Sequence, residues 1–155
     1  MKKNKGFTMV EVMVTVAIMS VLAAIVGITM GVLLGQRVKS MAADTKSVFQ
    51  STQIASMARD DAYVQLYQVG SDAYVIAYSS AGNEINRAEA HNVTMTYTVN
   101  GASMGSPTAP VQIYFNRQTG GLKDDASHAV DSITFSNGQR SITLRISRLT
   151  GKVTY

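Results

Sequence analysis

The sequence predicts an α+β fold in which a long N-terminal helix packs on a C-terminal antiparallel β domain. Residues 12–35 contain neither a charged side chain nor a proline, and apolar residues recur at helical spacing to about residue 60. After residue 61 the sequence changes to short runs of alternating apolar and polar residues, separated by turn residues, which is typical of strands. One helix followed by several strands is the element order of an α+β domain.

The first half of the helix is expected to be long and apolar enough to cross a membrane. Twenty-four helical residues would span about 36 Å, against a bilayer core of about 30 Å. Lys2, Lys3 and Lys5 precede the apolar run, whereas only Arg37 and Lys39 follow it closely. Because cytoplasmic flanks carry the excess of lysine and arginine, we expect the N-terminus in the cytoplasm and the β domain outside the membrane.

The second half of the helix, residues 36–61, shows a weakly apolar stripe that should cover a sheet. Its members recur at steps of three and four residues: Val38, Met41, Ala42, Thr45, Val48, Phe49, Thr52, Ala55 and Ser56. The strands expected after it are residues 63–69, 73–79, 93–99, 111–116, 132–136, 140–147 and 152–155. Asn137-Gly138 and Thr150-Gly151 are tight-turn signals, and residues 100–110 are predicted to be a loop.

Charge and cysteine content exclude several classes of function. The formal net charge is +4, from 14 basic and 10 acidic side chains. Removal of the first six residues would take away three lysines and leave +1, so no global attraction to nucleic acid or anionic lipid is expected. The chain has no cysteine, which excludes disulfides, thiolate metal sites, thiol catalysis and a cysteine-linked lipid anchor.

The order of features near the N-terminus differs from that of an ordinary signal peptide. In an ordinary signal peptide the cleavage site follows the apolar region. In this chain the turn-like Asn4-Lys5-Gly6 comes before the apolar region. Glu11 is also placed at the start of the apolar run. A carboxylate there is costly without a partner, which indicates a functional role, although the side chain could instead extend to the membrane interface.

The segment Lys5-Gly6-Phe7-Thr8-Met9-Val10-Glu11, followed by a long apolar helix, resembles the N-terminal signal of type IV prepilins and type II secretion pseudopilins. The resemblance implies that a prepilin peptidase cuts between Gly6 and Phe7, methylates the new N-terminus at Phe7, and so removes a leader of residues 1–6. It also implies that Glu11 neutralises the N-terminal amine of a neighbouring subunit in a filament. An unpaired charge that is buried in an apolar filament core costs on the order of several kcal/mol.

The anchor, expected over residues 7–35, departs from many major pilins because it lacks a proline in the middle of the helix. Gly27, Gly31 and Gly35 occur there at four-residue spacing instead. Glycines on one helix face allow close packing of helices, and they also weaken the helix, so packing and hinge roles are both open.

The exported region, with its β domain over residues 62–155, resembles the GspH/FimT group of minor pilins. The similar segments are residues 54–62, residues 111–120 and the terminal strand–turn–strand of residues 142–153. Some members of this group bind DNA through basic C-terminal residues, and the corresponding residues here are Arg140, Arg145, Arg148 and Lys152. The alternative is that these side chains are the charged outward faces of edge strands, which oppose aggregation.

Residues for catalysis or metal binding are scarce in this sequence. His91 and His128 have no metal-ligand spacing, and Asp124, Asp125 and Asp131 fit no known calcium-loop pattern. We therefore expect no enzyme activity, no cofactor and no metal. The sequence predicts a minor pilin or pseudopilin whose partners are a prepilin peptidase, other pilins and the cytoplasmic membrane. The alternative function is DNA capture by a competence pilus.

Overall fold

The computed structural model describes residues 7–58, 61–123 and 129–155, with the side chains of residues 26–34 outside the description. Helix α1 is Met9–Ala58, and the chain divides into two compact units, Met1–Leu34 and Gly35–Tyr155. The strands are β1 (Tyr63–Val69), β2 (Asp72–Tyr78), β3 (Glu84–Ala90), β4 (Thr94–Val99), β5 (Ala102–Gly105), β6 (Val111–Tyr114), β7 (Val130–Ser136), β8 (Ser141–Ile146) and β9 (Val153–Thr154). The α+β class is confirmed.

Within the second unit, α1 contributes the stripe that its sequence predicts. Val38, Met41, Val48 and Phe49 belong to one core cluster together with inward-facing residues of the strands. Of the nine stripe residues eight are buried, and Ala55 is half-buried. The ring of Phe49 meets that of Phe115 edge-on at 6.0 Å between centroids, a favoured aromatic geometry. The helix therefore covers the sheets as expected.

The strands form two antiparallel sheets, where the sequence predicted one antiparallel domain without dividing it. Sheet A has the order β3-β2-β1-β6, and sheet B has the order β5-β4-β7-β8-β9. The chain passes from sheet A to sheet B after β3, through Asn92 at φ 58°. Asparagine is among the few residues that adopt this left-handed conformation readily. Strand β6 then returns to sheet A beside β1.

Two edge strands, β3 and β5, were not predicted. Only Ala88 is buried in β3, and β5 lies within residues 100–110, which the sequence wrongly predicted to be entirely loop. An edge strand pairs on one side only and buries few side chains, so its apolar alternation is weak.

The connections between strands at residues 69–72, 90–94 and 136–141 lie near the beginning of the helix in this unit. The ends around 78–84 and 146–153 lie near its end.

Candidate processing and assembly site

The N-terminal end of α1 is closed by a reciprocal pair of hydrogen bonds between Thr8 and Glu11. The amide of Glu11 donates to Thr8 Oγ1 at 3.3 Å, and the amide of Thr8 donates to Glu11 Oε2 at 3.4 Å. This is a capping box, in which two side chains satisfy backbone N–H groups that the first helical turn leaves unpaired. The Glu11 carboxylate is consequently held at the backbone amide of Thr8, the residue that follows Phe7.

The capping role of Thr8 was not predicted from the sequence, although the signal for it is present. A Thr-x-x-Glu spacing directly before an apolar run is the signature of a capping box. Glu11 was interpreted through its charge alone. The structure gives its carboxylate a second role within its own chain, which is to fix where the helix begins.

The apolar residues between Phe7 and Ile25 have no cover in the described part of the first unit. Phe7 is 82% exposed, and the eleven other large apolar residues of this segment are each at least 50% exposed. The polar side chains among them are satisfied locally, since the hydroxyls of Thr15 and Ser20 donate to the carbonyls of Val12 and Val16 at 2.8 Å. A helix that is apolar all round needs an apolar environment.

In the part of the chain that the structure describes, no helix is both long and apolar enough to cross a membrane. Gly6 lies outside the described residues, and so do the side-chain surroundings of Gly27 and Gly31. Gly35 is described, and it lies against the β7–β8 hairpin. A Cβ atom at this position would meet Cδ and Nη1 of Arg140 at 3.8 Å each.

The four basic residues near the C-terminus are dispersed over the second unit. Arg140 lies in the β7–β8 turn beside Gly35, whereas Arg145 is exposed on the outer face of β8, opposite Ser132. The two are five residues apart along an extended chain, or about 16 Å. Lys152 is exposed in the β8–β9 turn.

Arg148 is held in an ion pair. Its guanidinium lies 2.6 Å from Asp131 Oδ1 and also donates to Asn100 Oδ1, while Asp131 Oδ2 accepts from the amide of Gly101 at 2.8 Å. This arrangement joins the C-terminal turn to the β4–β5 turn. It also occupies the oxygens of Asp131, which was one of the calcium candidates.

Gln53 connects α1 to two loops and was not identified from the sequence. Its Nε2 donates to Gly120 O at 2.8 Å and to Thr150 O at 2.7 Å. The loop after β6 and the β8–β9 turn are thereby fixed to one point on the helix. A lone glutamine on a helix gives no sequence signal for such a long-range contact.

The remaining candidate residues do not form a metal site among the residues that the structure describes. No group of three or more histidine, aspartate or glutamate side chains converges there, while Asp124, Asp125 and His128 lie outside the description. His91 Nδ1 is 2.8 Å from Asp72 Oδ2. The pKa of Asp72 is lowered by this hydrogen bond and by the amide of Asn92.

Comparison with known proteins identifies a motif at the N-terminus. Residues 1–34 match a family model described as the prokaryotic N-terminal methylation motif. No curated protein and no solved structure shows a significant match to the chain. The matched segment contains the expected cleavage position between Gly6 and Phe7, the capping box, and most of the exposed apolar helix.

Proposed function

We propose that this chain, whose residues 1–34 match the prokaryotic N-terminal methylation motif of type IV pilins and pseudopilins, is a minor structural subunit of a type IV pilus or a type II secretion pseudopilus. The observation that carries the proposal is the motif combined with an uncovered apolar helix. Such a helix must be buried in lipid before assembly and among other helices after it. We propose a structural role with no enzyme activity.

Processing by a prepilin peptidase and assembly with other pilins follow from the motif, and we propose the residues involved. The peptidase cuts between Gly6 and Phe7, because Gly6 offers no side chain beside the scissile bond, and Phe7 is then methylated. The leader faces the cytoplasm, the apolar helix anchors the subunit in the cytoplasmic membrane, and the β domain lies on the other side. Mass spectrometry of the cellular protein should show a methylated N-terminus at Phe7, whereas a chain that keeps Met1 in cells with this peptidase would contradict the proposal.

Glu11 is proposed to pair with the N-terminal amine of a neighbouring subunit and so to fix the axial register. The capping box supports this role, because it holds the carboxylate near the N-terminus of its own chain. It also supplies a competing explanation, in which Glu11 matters only as a helix cap. The two explanations predict different results for Glu11→Gln.

A comparison of Glu11→Gln with Glu11→Val separates charge from capping. Glutamine serves in a capping box nearly as well as glutamate, but it cannot neutralise an amine. If charge pairing fixes the register, both variants are cleaved and membrane-associated, yet neither is recovered in sheared filaments or in complexes with other pilins. Assembly of Glu11→Gln together with failure of Glu11→Val would show that the carboxylate is only a cap. Thr8→Val, which removes the hydroxyl cap and keeps the charge, serves as the matched control.

The alternative of DNA capture has no comparable support. It depends on several basic side chains meeting one stretch of phosphates, but Arg140 lies by Gly35, and Arg148 is paired with Asp131. Arg140, Arg145 and Lys152 are exposed, but Arg140 lies about five extended residues from Arg145, so the exposed cations do not form one continuous patch. We therefore propose the structural role alone.

A further inference from the structure

The tertiary fold gathers three cations where α1 enters the second unit. Arg37 and Lys39 are exposed on different faces of the helix, because they are two residues apart. Arg140 reaches the same level of the helix from the β7–β8 turn, a hundred residues away in sequence. Lys39 follows Gly35 by one helical turn on the same face, and the Arg140 side chain lies along Gly35. We call Arg37, Lys39 and Arg140 the basic collar.

The collar residues have no carboxylate partner among the described residues, unlike Arg87 and Arg148 of the same unit. Arg87 pairs with Glu84 at 2.7 Å and with Glu89 at 3.3 Å, and Arg148 pairs with Asp131. Among the residues that the structure describes, no ion pair involves a collar residue. The closest polar contact is that of Arg37 Nη1, which donates to the backbone carbonyl of His91 at 3.5 Å.

The acidic groups near the collar are already engaged by other partners. Glu89 shares a shallow cleft with Arg37, but its carboxylate is bound to Arg87. Asp72 accepts from His91 and from the amide of Asn92. Asp44, one turn further along α1, accepts from Ser40 at 3.0 Å. Asp72 and Asp44 keep their negative charges, because their partners are neutral donors, but the three collar cations outnumber these two carboxylates and the region keeps a net positive charge.

The position of the collar along the chain indicates what it would meet. Gly35 is the last residue of the uncharged run 12–35, so the collar begins where the apolar segment ends. If that segment lies in a bilayer, as the proposed function holds, the adjacent surface is a layer of lipid headgroups. Cations within a Debye length of an anionic membrane surface are attracted to it.

We propose that the basic collar binds the phosphates of anionic lipids and holds the β domain against the membrane before the subunit enters a filament. This inference rests on the proposed membrane anchorage. Arginine suits the task because its planar guanidinium can donate two parallel hydrogen bonds to one phosphate. Each cation that reaches the surface should raise the ratio of docked to undocked subunits about fivefold, and the three together about a hundredfold.

The test uses the full chain reconstituted in vesicles with a single fluorophore on Gln139→Cys. Gln139 is exposed in the turn beside Arg140, and the chain has no other cysteine. Energy transfer from this label to headgroup-labelled lipid measures docking. Transfer should be higher in phosphatidylcholine vesicles that contain phosphatidylglycerol than in phosphatidylcholine alone. It should fall when salt is raised from about 0.1 M to about 1 M, because the Debye length shortens from about 10 Å to about 3 Å.

Three variants identify the source of the effect. Arg140→Gln and the double variant Arg37→Gln/Lys39→Gln should each reduce docking on anionic vesicles by the stated factors. Arg117→Gln removes the same charge from an exposed turn near the end of α1 and should leave docking unchanged. Equal transfer on neutral and anionic vesicles, or an equal loss with Arg117→Gln, would overturn the proposal.

Failure of the anchor gives a different result from failure of the collar. If the membrane anchorage is wrong, the full chain will not float with neutral vesicles in a density gradient. If only the collar is wrong, the chain will float with both kinds of vesicle, but its docking will not depend on anionic lipid. A vesicle flotation assay without any label distinguishes these outcomes.

Discussion

Replacement of Gly151 by alanine tests how strongly the C-terminal turn is fixed to the helix. Gly151 has φ 64°, and a Cβ atom there would be placed directly against Gly120 O and 3.1 Å from Gln53 Nε2. The left-handed conformation alone costs a non-glycine residue about 1–2 kcal/mol. The clash would also displace the carbonyl that Gln53 binds. Two hydrogen bonds of Gln53 are then at risk, at about 1 kcal/mol each, so we expect Gly151→Ala to lower the free energy of unfolding by about 3 kcal/mol or more.

Gly138→Ala is the matched control for this experiment. Gly138 also has a positive φ, of 81°, but a Cβ atom there would meet nothing within 4 Å. Gly138→Ala should therefore show the conformational cost alone, about 1–2 kcal/mol. Urea unfolding of the full chain in detergent can be followed by near-UV circular dichroism, because all seven tyrosines lie in the second unit.

A double-mutant cycle with Gln53→Ala completes the test. In the Gln53→Ala background these hydrogen bonds are already absent. Gly151→Ala should therefore lower the free energy of unfolding by about 1–2 kcal/mol less there than it does in the wild type. The reasoning is refuted if Gly151→Ala and Gly138→Ala destabilise the protein equally. It is also refuted if Gly151→Ala and Gln53→Ala are additive.

Three further results are expected. Thr45→Val should raise the free energy of unfolding by about 1 kcal/mol in thermal melts, because the buried Thr45 hydroxyl has no hydrogen-bond partner among the described residues; Thr52→Val, which removes a satisfied hydroxyl, should not. The pKa of Asp72 is lowered in the folded state, so its stabilisation is present above about pH 4 and is lost as the pH falls through the folded-state pKa. Asp72→Asn should therefore reduce the melting temperature at pH 7 and approach the wild type in more acidic buffer, and an equal loss at every pH would contradict this. Duplex DNA titrations should give a log–log salt slope shallower than the value of about −3.6 for four phosphate contacts, because Arg148 is already paired. A slope near that value that Arg145→Ala reduces would favour the DNA-capture alternative.

The helix and most strands could be predicted because the signals for them are local. Strand β1 was predicted with the bounds it has in the structure, since Val64 and Leu66 alternate with polar or aromatic residues over one buried face. Strands β3 and β5 were missed, because an edge strand needs little burial and leaves little pattern. The signal for the Thr8–Glu11 capping box is also local, because its two partners are three residues apart. It was not predicted because Glu11 was interpreted from its charge alone.

The sequence by itself determined the parts that depend on neighbouring residues: the processing motif, the uncharged helical run, the apolar stripe and the turn glycines. Only the tertiary structure decided which distant groups meet. Arg140 and Arg148 are near one another in sequence, yet one lies beside Gly35 and the other binds Asp131. An extended strand moves along by about 3.3 Å per residue and carries two such cations to opposite ends of a sheet. The pairing of distant strands and the contact of the β7–β8 hairpin with the helix join residues that are far apart in sequence. Composition and spacing therefore showed that these basic residues are close in sequence, but could not show which groups each of them contacts.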